Sequence, residues 1–136
     1  MPRVSRRISR AARATVLCGV AVLSAVGVSG AAVAQQVAVL QGLDKITARV
    51  STIEAPVGHS VRFGTLDITV RRCHKRPPEE TPETTAYIEI RERRAGEHPA
   101  DLFAGWMFAS SPAVSSLEHP VYDVWVIDCK KASSSD

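Results

Sequence analysis

From residue 44 onward the chain alternates apolar and polar side chains in short runs parted by turn residues. Ile46, Ala48 and Val50 fall on one side and Lys45, Thr47, Arg49 and Ser51 on the other, the period of two that marks a half-buried strand. Pro56-Val57-Gly58 reads as a turn. Val61 and Phe63 begin a second strand, which Gly64 interrupts. Leu66, Ile68 and Val70 alternate with Asp67, Thr69 and Arg71 in a third strand running toward Cys73. Ala86, Ile88 and Ile90 alternate with Tyr87, Glu89 and Arg91. Leu102 to Ala109 is a continuous apolar run between turns, the pattern of a strand buried on both faces. Val121 to Cys129, rich in Val, Ile, Tyr and Trp, is the last strand.

The segments between these runs lack periodicity. Lys75 to Thr85 holds prolines and glutamates and predicts an extended loop, and Arg94 to Pro99 is a polar turn around Gly96. Ser110 to Glu118 is the one stretch that suits a short helical turn. About six or seven strands at this spacing predict an all-β fold, a small antiparallel sandwich or barrel. The single β domain is expected over residues 44–130, with a flexible leader at 35–43 and a disordered, serine-rich tail at 131–136.

Residues 1–34 have a different pattern. Arg3, Arg6, Arg7, Arg10 and Arg13 form a basic head without an acid, and Ala14 to Val28 is apolar. Ala32-Val33-Ala34 supplies small residues where a signal peptidase reads. This layout predicts a secretory signal peptide cleaved between Ala34 and Gln35, and hence a periplasmic protein. The apolar run falls short of the roughly 20 residues a spanning helix needs.

Cleavage changes the charge. The whole chain carries 17 basic and 14 acidic residues, net +3. Five of the arginines lie in the leader, so the mature part has 12 basic residues against the same 14 acids, net −2. The basic pI of about 9.0 belongs to the precursor, and no basic face argues for nucleic acid. No membrane span is expected in the mature chain.

Cleavage also removes Cys18 and leaves Cys73 and Cys129. An even pair in an oxidising compartment is a disulfide candidate. A bridge closing the 57-residue loop from Cys73 to Cys129 is worth about 4 kcal/mol in the chain-entropy account. Neither cysteine has the close Cys or His spacing of a metal site. His59, His74, His98 and His119 also lack ligand spacing, so no metal or cofactor is expected.

His119 lies in Glu118-His119-Pro120-Val121-Tyr122-Asp123, downstream of Ser110, Ser111, Ser115 and Ser116. A small hydrolase could use it with a nearby Ser or Asp, but a triad is defined by geometry, and the chain has no Gly-x-Ser-x-Gly elbow. A loop histidine that satisfies backbone groups is the plainer reading. The aromatics Phe103, Trp106, Phe108, Tyr122 and Trp125 are concentrated in the final third. They fill the core or form a recognition patch. Trp106, His119, Tyr122 and Trp125 are the candidate partner surface.

One stretch carries a resemblance. Phe103-Ala104-Gly105-Trp106-Met107-Phe108-Ala109-Ser110-Ser111-Pro112, then Leu117-Glu118-His119-Pro120-Val121-Tyr122-Asp123-Val124-Trp125 and Asp128-Cys129, resembles the signature of the domain of unknown function 2155 family of alphaproteobacteria. Leu43-Asp44-Lys45-Ile46-Thr47, Pro56-Val57-Gly58, Val61-Arg62-Phe63-Gly64, Cys73 and Arg76-Pro77-Pro78 extend it over Asp44 to Cys129. The resemblance implies an exported envelope protein with paired cysteines, associated with an envelope or respiratory membrane complex. It implies no activity. Three functions follow as expectations: a non-enzymatic binding or accessory module with an envelope protein partner, the hydrolase, and a small-ligand carrier with its site in a barrel mouth.

Overall fold

The computed structural model describes residues 35–132. The signal-peptide expectation and the last four tail residues lie outside them. Among the described residues, eight strands form two antiparallel four-stranded sheets. They are β1 (Gln36–Asp44), β2 (Arg49–Pro56), β3 (Ser60–Phe63), β4 (Leu66–Lys75), β5 (Thr84–Glu92), β6 (Ala100–Phe108), β7 (Leu117–Glu118) and β8 (Tyr122–Lys131). Sheet A has the order β2-β1-β8-β7 and sheet B the order β3-β4-β5-β6. The all-β expectation holds, as two packed sheets.

The alternation seen in the sequence builds the core. Leu66, Ile68 and Val70 of β4, Ala86, Ile88 and Ile90 of β5, and Met107 of β6 point inward from sheet B. Ala38 and Leu40 of β1 with Val124 and Val126 of β8 meet them from sheet A. Their removal from water at roughly 25 cal/mol per Å² is the main force joining the sheets. The chain crosses from sheet A to sheet B at Val57 and Gly58. The Val57 N–H donates to Gln36 and the Gly58 N–H to Val70, so adjacent residues are pinned to different sheets.

Five expectations are corrected. Residues 35–43 are not a flexible leader. They are almost wholly β1, an inner strand with β2 on one side and β8 on the other. Ala38, Leu40 and Gly42 alternate inward and Val37 is buried beside them, while the bulge in the β1–β8 pairing lies on β8, where Ile127 is the extra residue. The first alternating run is not one strand either: residues 45–48 form a hairpin turn. The Asp44 carboxylate accepts from the Ile46 and Thr47 N–H groups at 2.9 and 3.1 Å, which lets a local turn outcompete the strand pattern. Strand β6 is buried on one face only, because it is the edge of sheet B and nothing described covers its outer side. The tail begins later than 131, since Lys131 ends β8 and the Ala132 N–H donates to Gln35 at 2.7 Å. Residues 110–118 form turns and β7, with no helix.

Candidate functional site

Strands β4 and β8 run in the same direction in opposite sheets, and ties at both ends hold the two sheets together. At one end Cys73 and Cys129 form the expected disulfide, with Cα atoms 5.9 Å apart. They do not sit on hydrogen-bonded neighbours. They face each other between the sheets, and the Lys75 ammonium meets Asp128 at 2.8 Å beside them. The Lys75 hydrogen bond holds the Asp128 carboxyl below its ordinary range, against the opposing effect of partial burial.

The 75–84 loop rises from this end and borders an open cleft of about 710 Å³. Pro77, Pro78, Pro82, Ala109 and Ile127 line its apolar part. Its polar groups are largely satisfied internally. Glu83 accepts from the Ser110 hydroxyl, from the Ser110 N–H at 3.1 Å and from the Thr84 N–H at 2.9 Å. These bonds, the Ser110 hydroxyl first, hold the Glu83 carboxyl below its ordinary range.

At the other end, His119 is buried, with 7% of its surface exposed. Its Nε2 lies 3.2 Å from Glu92 Oε1, and its Nδ1 accepts from the Val121 N–H at 3.1 Å. That network assigns the proton to Nε2 in the neutral ring. The ring stacks on Tyr122, and Tyr122 meets Phe63 edge-on. Glu92 also accepts from Thr65 at 3.2 Å and lies 3.0 Å from Arg94. Burial pushes its carboxyl up. The hydrogen bonds from Arg94 and Thr65 and the nearby positive charge outweigh that and hold it below the ordinary range.

This arrangement leaves His119 with no nitrogen facing a nucleophile, which a general base requires. Ser110 is bonded to Glu83, and the Ser115 hydroxyl donates to the Trp106 carbonyl at 2.6 Å. The structure does not assemble His119 with either serine. Among the described residues, no group of three or more His, Cys, Asp or Glu side chains is placed to hold a metal ion.

The four residues of the candidate partner surface lie in three places. His119 and Tyr122 belong to the interior network. Trp125, between buried Val124 and Val126, sits half-buried on the outer face of sheet A opposite Gln41. Trp106, beside buried Met107, stands 42% exposed on the outer face of sheet B.

Sequence reasoning missed the company Trp106 keeps. Register sets Arg72, Tyr87 and Trp106 in one row across β4, β5 and β6, and His74, Thr85 and Phe108 in the next. Phe108 is 36% exposed. Tyr87 and Trp106 meet edge-to-face, with centroids 5.5 Å apart and planes at 76°. The alternation of β5 had already put Tyr87 on the wet face, and that signal could have drawn it in. A second apolar group, Ile46 at 75% and Val50 at 55% exposure, marks the β1–β2 hairpin.

Comparison with known proteins adds lineage and no activity. The sequence model of the family described as "Uncharacterized protein conserved in bacteria (DUF2155)" matches residues 38–129, in agreement with the resemblance read from the motifs. An uncharacterized protein of Rickettsia prowazekii (strain Madrid E), RP359, is 34% identical over 87 residues. That alignment covers 64% of this chain and 56% of the relative, so the chain spans little more than half the relative's length. No solved structure matches.

Proposed function

The chain belongs to this uncharacterised bacterial family, and from that premise we propose that it is a non-enzymatic binding or accessory module of the cell envelope, its contact surface on the outer face of sheet B. The observation that carries the reading is the open aromatic cluster of Trp106, Phe108 and Tyr87 on an uncovered face. Exposed Trp and Tyr concentrate binding energy in protein interfaces, and a clustered apolar patch on an otherwise charged surface marks a contact site. The proposed compartment is the periplasm, reached by cleavage between Ala34 and Gln35. The basic head, the apolar run and Ala32-Val33-Ala34 support it, as does a disulfide across the core. The partner proposed is a protein of an envelope or respiratory membrane complex.

A photo-crosslinking amino acid at position 106, introduced in the full chain in cells, tests both parts. The expected product is a discrete adduct in the envelope fraction, absent when the probe is at Val114 on the neighbouring loop. N-terminal sequencing of the same material should begin at Gln35. Adducts equal from both positions argue against the surface, and an intact Met1 on most molecules argues against export.

A further inference from the structure

Charge sorts the outer face of sheet B into satisfied and unsatisfied positions. Arg71 pairs with Glu89 at 3.0 Å and Arg91 with Asp101 at 2.7 Å. Asp67 takes both Arg62 and Arg93 at 3.0 Å. Arg72 is the exception. A bulge between Val70 and Arg72 turns it outward directly after Arg71, yet among the described residues no carboxylate meets it. It is also the residue whose register position faces Tyr87, in line with Trp106. The uncommitted guanidinium and the exposed aromatics thus share one row. Thr85 and the exposed His74 lie in the next, and neither brings a negative charge.

Resting on the binding-module reading, we propose that this row recognises a polypeptide segment of a partner protein carrying a carboxylate next to an apolar side chain. The carboxylate meets Arg72, and the apolar side chain enters the corner between Tyr87 and Trp106. A planar guanidinium fork matches a carboxylate in two parallel hydrogen bonds. Trp, Tyr and Arg are the three residue types most enriched among interface hot spots. The ring geometry favours a peptide over an acidic glycan. A sugar ring stacks best on an open aromatic face or on rings lying in one plane. Rings at 76° make a notch that accepts a side chain. Strand addition at the β6 edge is disfavoured in the same region, because Ser115 already caps the Trp106 carbonyl.

The experiment is a selection of random twelve-residue peptides displayed on phage against the mature chain, counter-selected against Trp106→Ala. The enriched peptides are expected to carry Asp or Glu within two residues of Leu, Ile or Phe. Replacing that acid by its amide, or Arg72 by Gln, is expected to weaken binding about tenfold. Both changes together should cost no more than either alone, the mark of a direct pair. Trp106→Ala should abolish binding while the melting temperature stays within a few degrees. Enriched peptides that lack an acid, or that bind Arg72→Gln unchanged, overturn the carboxylate assignment. The module reading survives that result if the position-106 crosslink still forms. No enrichment over Trp106→Ala overturns the peptide site itself. So does an oligogalacturonate probe that shifts the Arg72, Tyr87 and Trp106 amide resonances where the enriched peptides do not.

Discussion

His119 Nε2 lies 3.2 Å from Glu92 Oε1, and the contact joins the end of β5 in one sheet to the turn entering β8 in the other. The same ring accepts the Val121 N–H. A residue that reads in sequence as a general base is thereby a clamp. His119→Ala is expected to destabilise by about 2–4 kcal/mol, from an orphaned N–H, a weakened carboxylate network and the space left under Tyr122. Two milder variants separate the bonds. In Asn the side-chain oxygen stands near Nδ1 and can keep the Val121 bond. In Gln the amide stands near Nε2 and can keep the Glu92 bond. Both should fall between wild type and Ala in urea unfolding. An Ala variant as stable as wild type would remove the clamp.

The opposite end is held by the Cys73–Cys129 bridge between sheets. Cys129→Ser is expected to cost roughly 2–5 kcal/mol, and a reductant should lower the melting temperature of wild type toward that of the variant. If the two unfold alike without reductant, the bridge does not form in solution.

The two ends differ in how much the sequence told of them. The cysteine pair was legible by counting, because the chain expected after cleavage holds two cysteines and so has one possible pairing. Strands β4 and β5 were legible because each has one wet and one dry face, so Ile68 and Ile90 alternate cleanly with Asp67 and Arg91. Strand β1 was not, since Val37-Ala38-Val39-Leu40 is a continuous apolar run in which the inward Ala38 and Leu40 cannot be told from their neighbours by pattern. Ile46 was misread because the Asp44 side chain caps a turn at Ile46 that apolar patterning cannot register. Trp106 and Trp125 looked like one surface because they are close along the chain. The chain changes sheets between them, and proximity in sequence carries no information about that.

Acid should loosen the disulfide end and the β6 turn before the core. Asp128, with an ordinary pKa of 3.8, and Glu83, at 4.5, are both depressed in the folded state. A carboxyl whose folded value lies below its unfolded value binds fewer protons when folded. Its stabilisation is therefore complete above the unfolded value and lost as pH falls through the folded one. Stability should be level from neutrality to about pH 5 and decline below roughly pH 4. Glu83→Gln and Asp128→Asn should start less stable at neutral pH and lose less on acidification. Melting curves from pH 7 to pH 3 measure this, and equal acid sensitivity in wild type and both variants would count against these two carboxyls.

Two residues with positive φ make opposite predictions from the same backbone rule. Ala48, at the hairpin turn, has a φ of 54°, a left-handed conformation that costs a residue with a Cβ about 1–2 kcal/mol. Glycine relieves that strain and forfeits part of the gain to a freer unfolded chain. Ala48→Gly is therefore expected to stabilise by up to about 1 kcal/mol. Gly64 has a φ of 57°, and here the rule is reinforced by packing. A Cβ at this position would run into both the Tyr122 hydroxyl and the ring carbon that carries it, and Tyr122 is held from behind by His119 and from the side by Phe63. Gly64→Ala should cost at least about 2 kcal/mol, because the ring cannot retreat without breaking that stack. Tyr122→Phe would leave the clashing ring carbons in place, whereas Tyr122→Leu removes the ring, so in the Leu background the Gly64→Ala penalty should shrink while the strain from φ remains. Urea unfolding of the four variants measures the coupling. If Gly64→Ala costs the same with Tyr and with Leu at 122, backbone conformation alone accounts for the glycine, and the contact with Tyr122 contributes nothing.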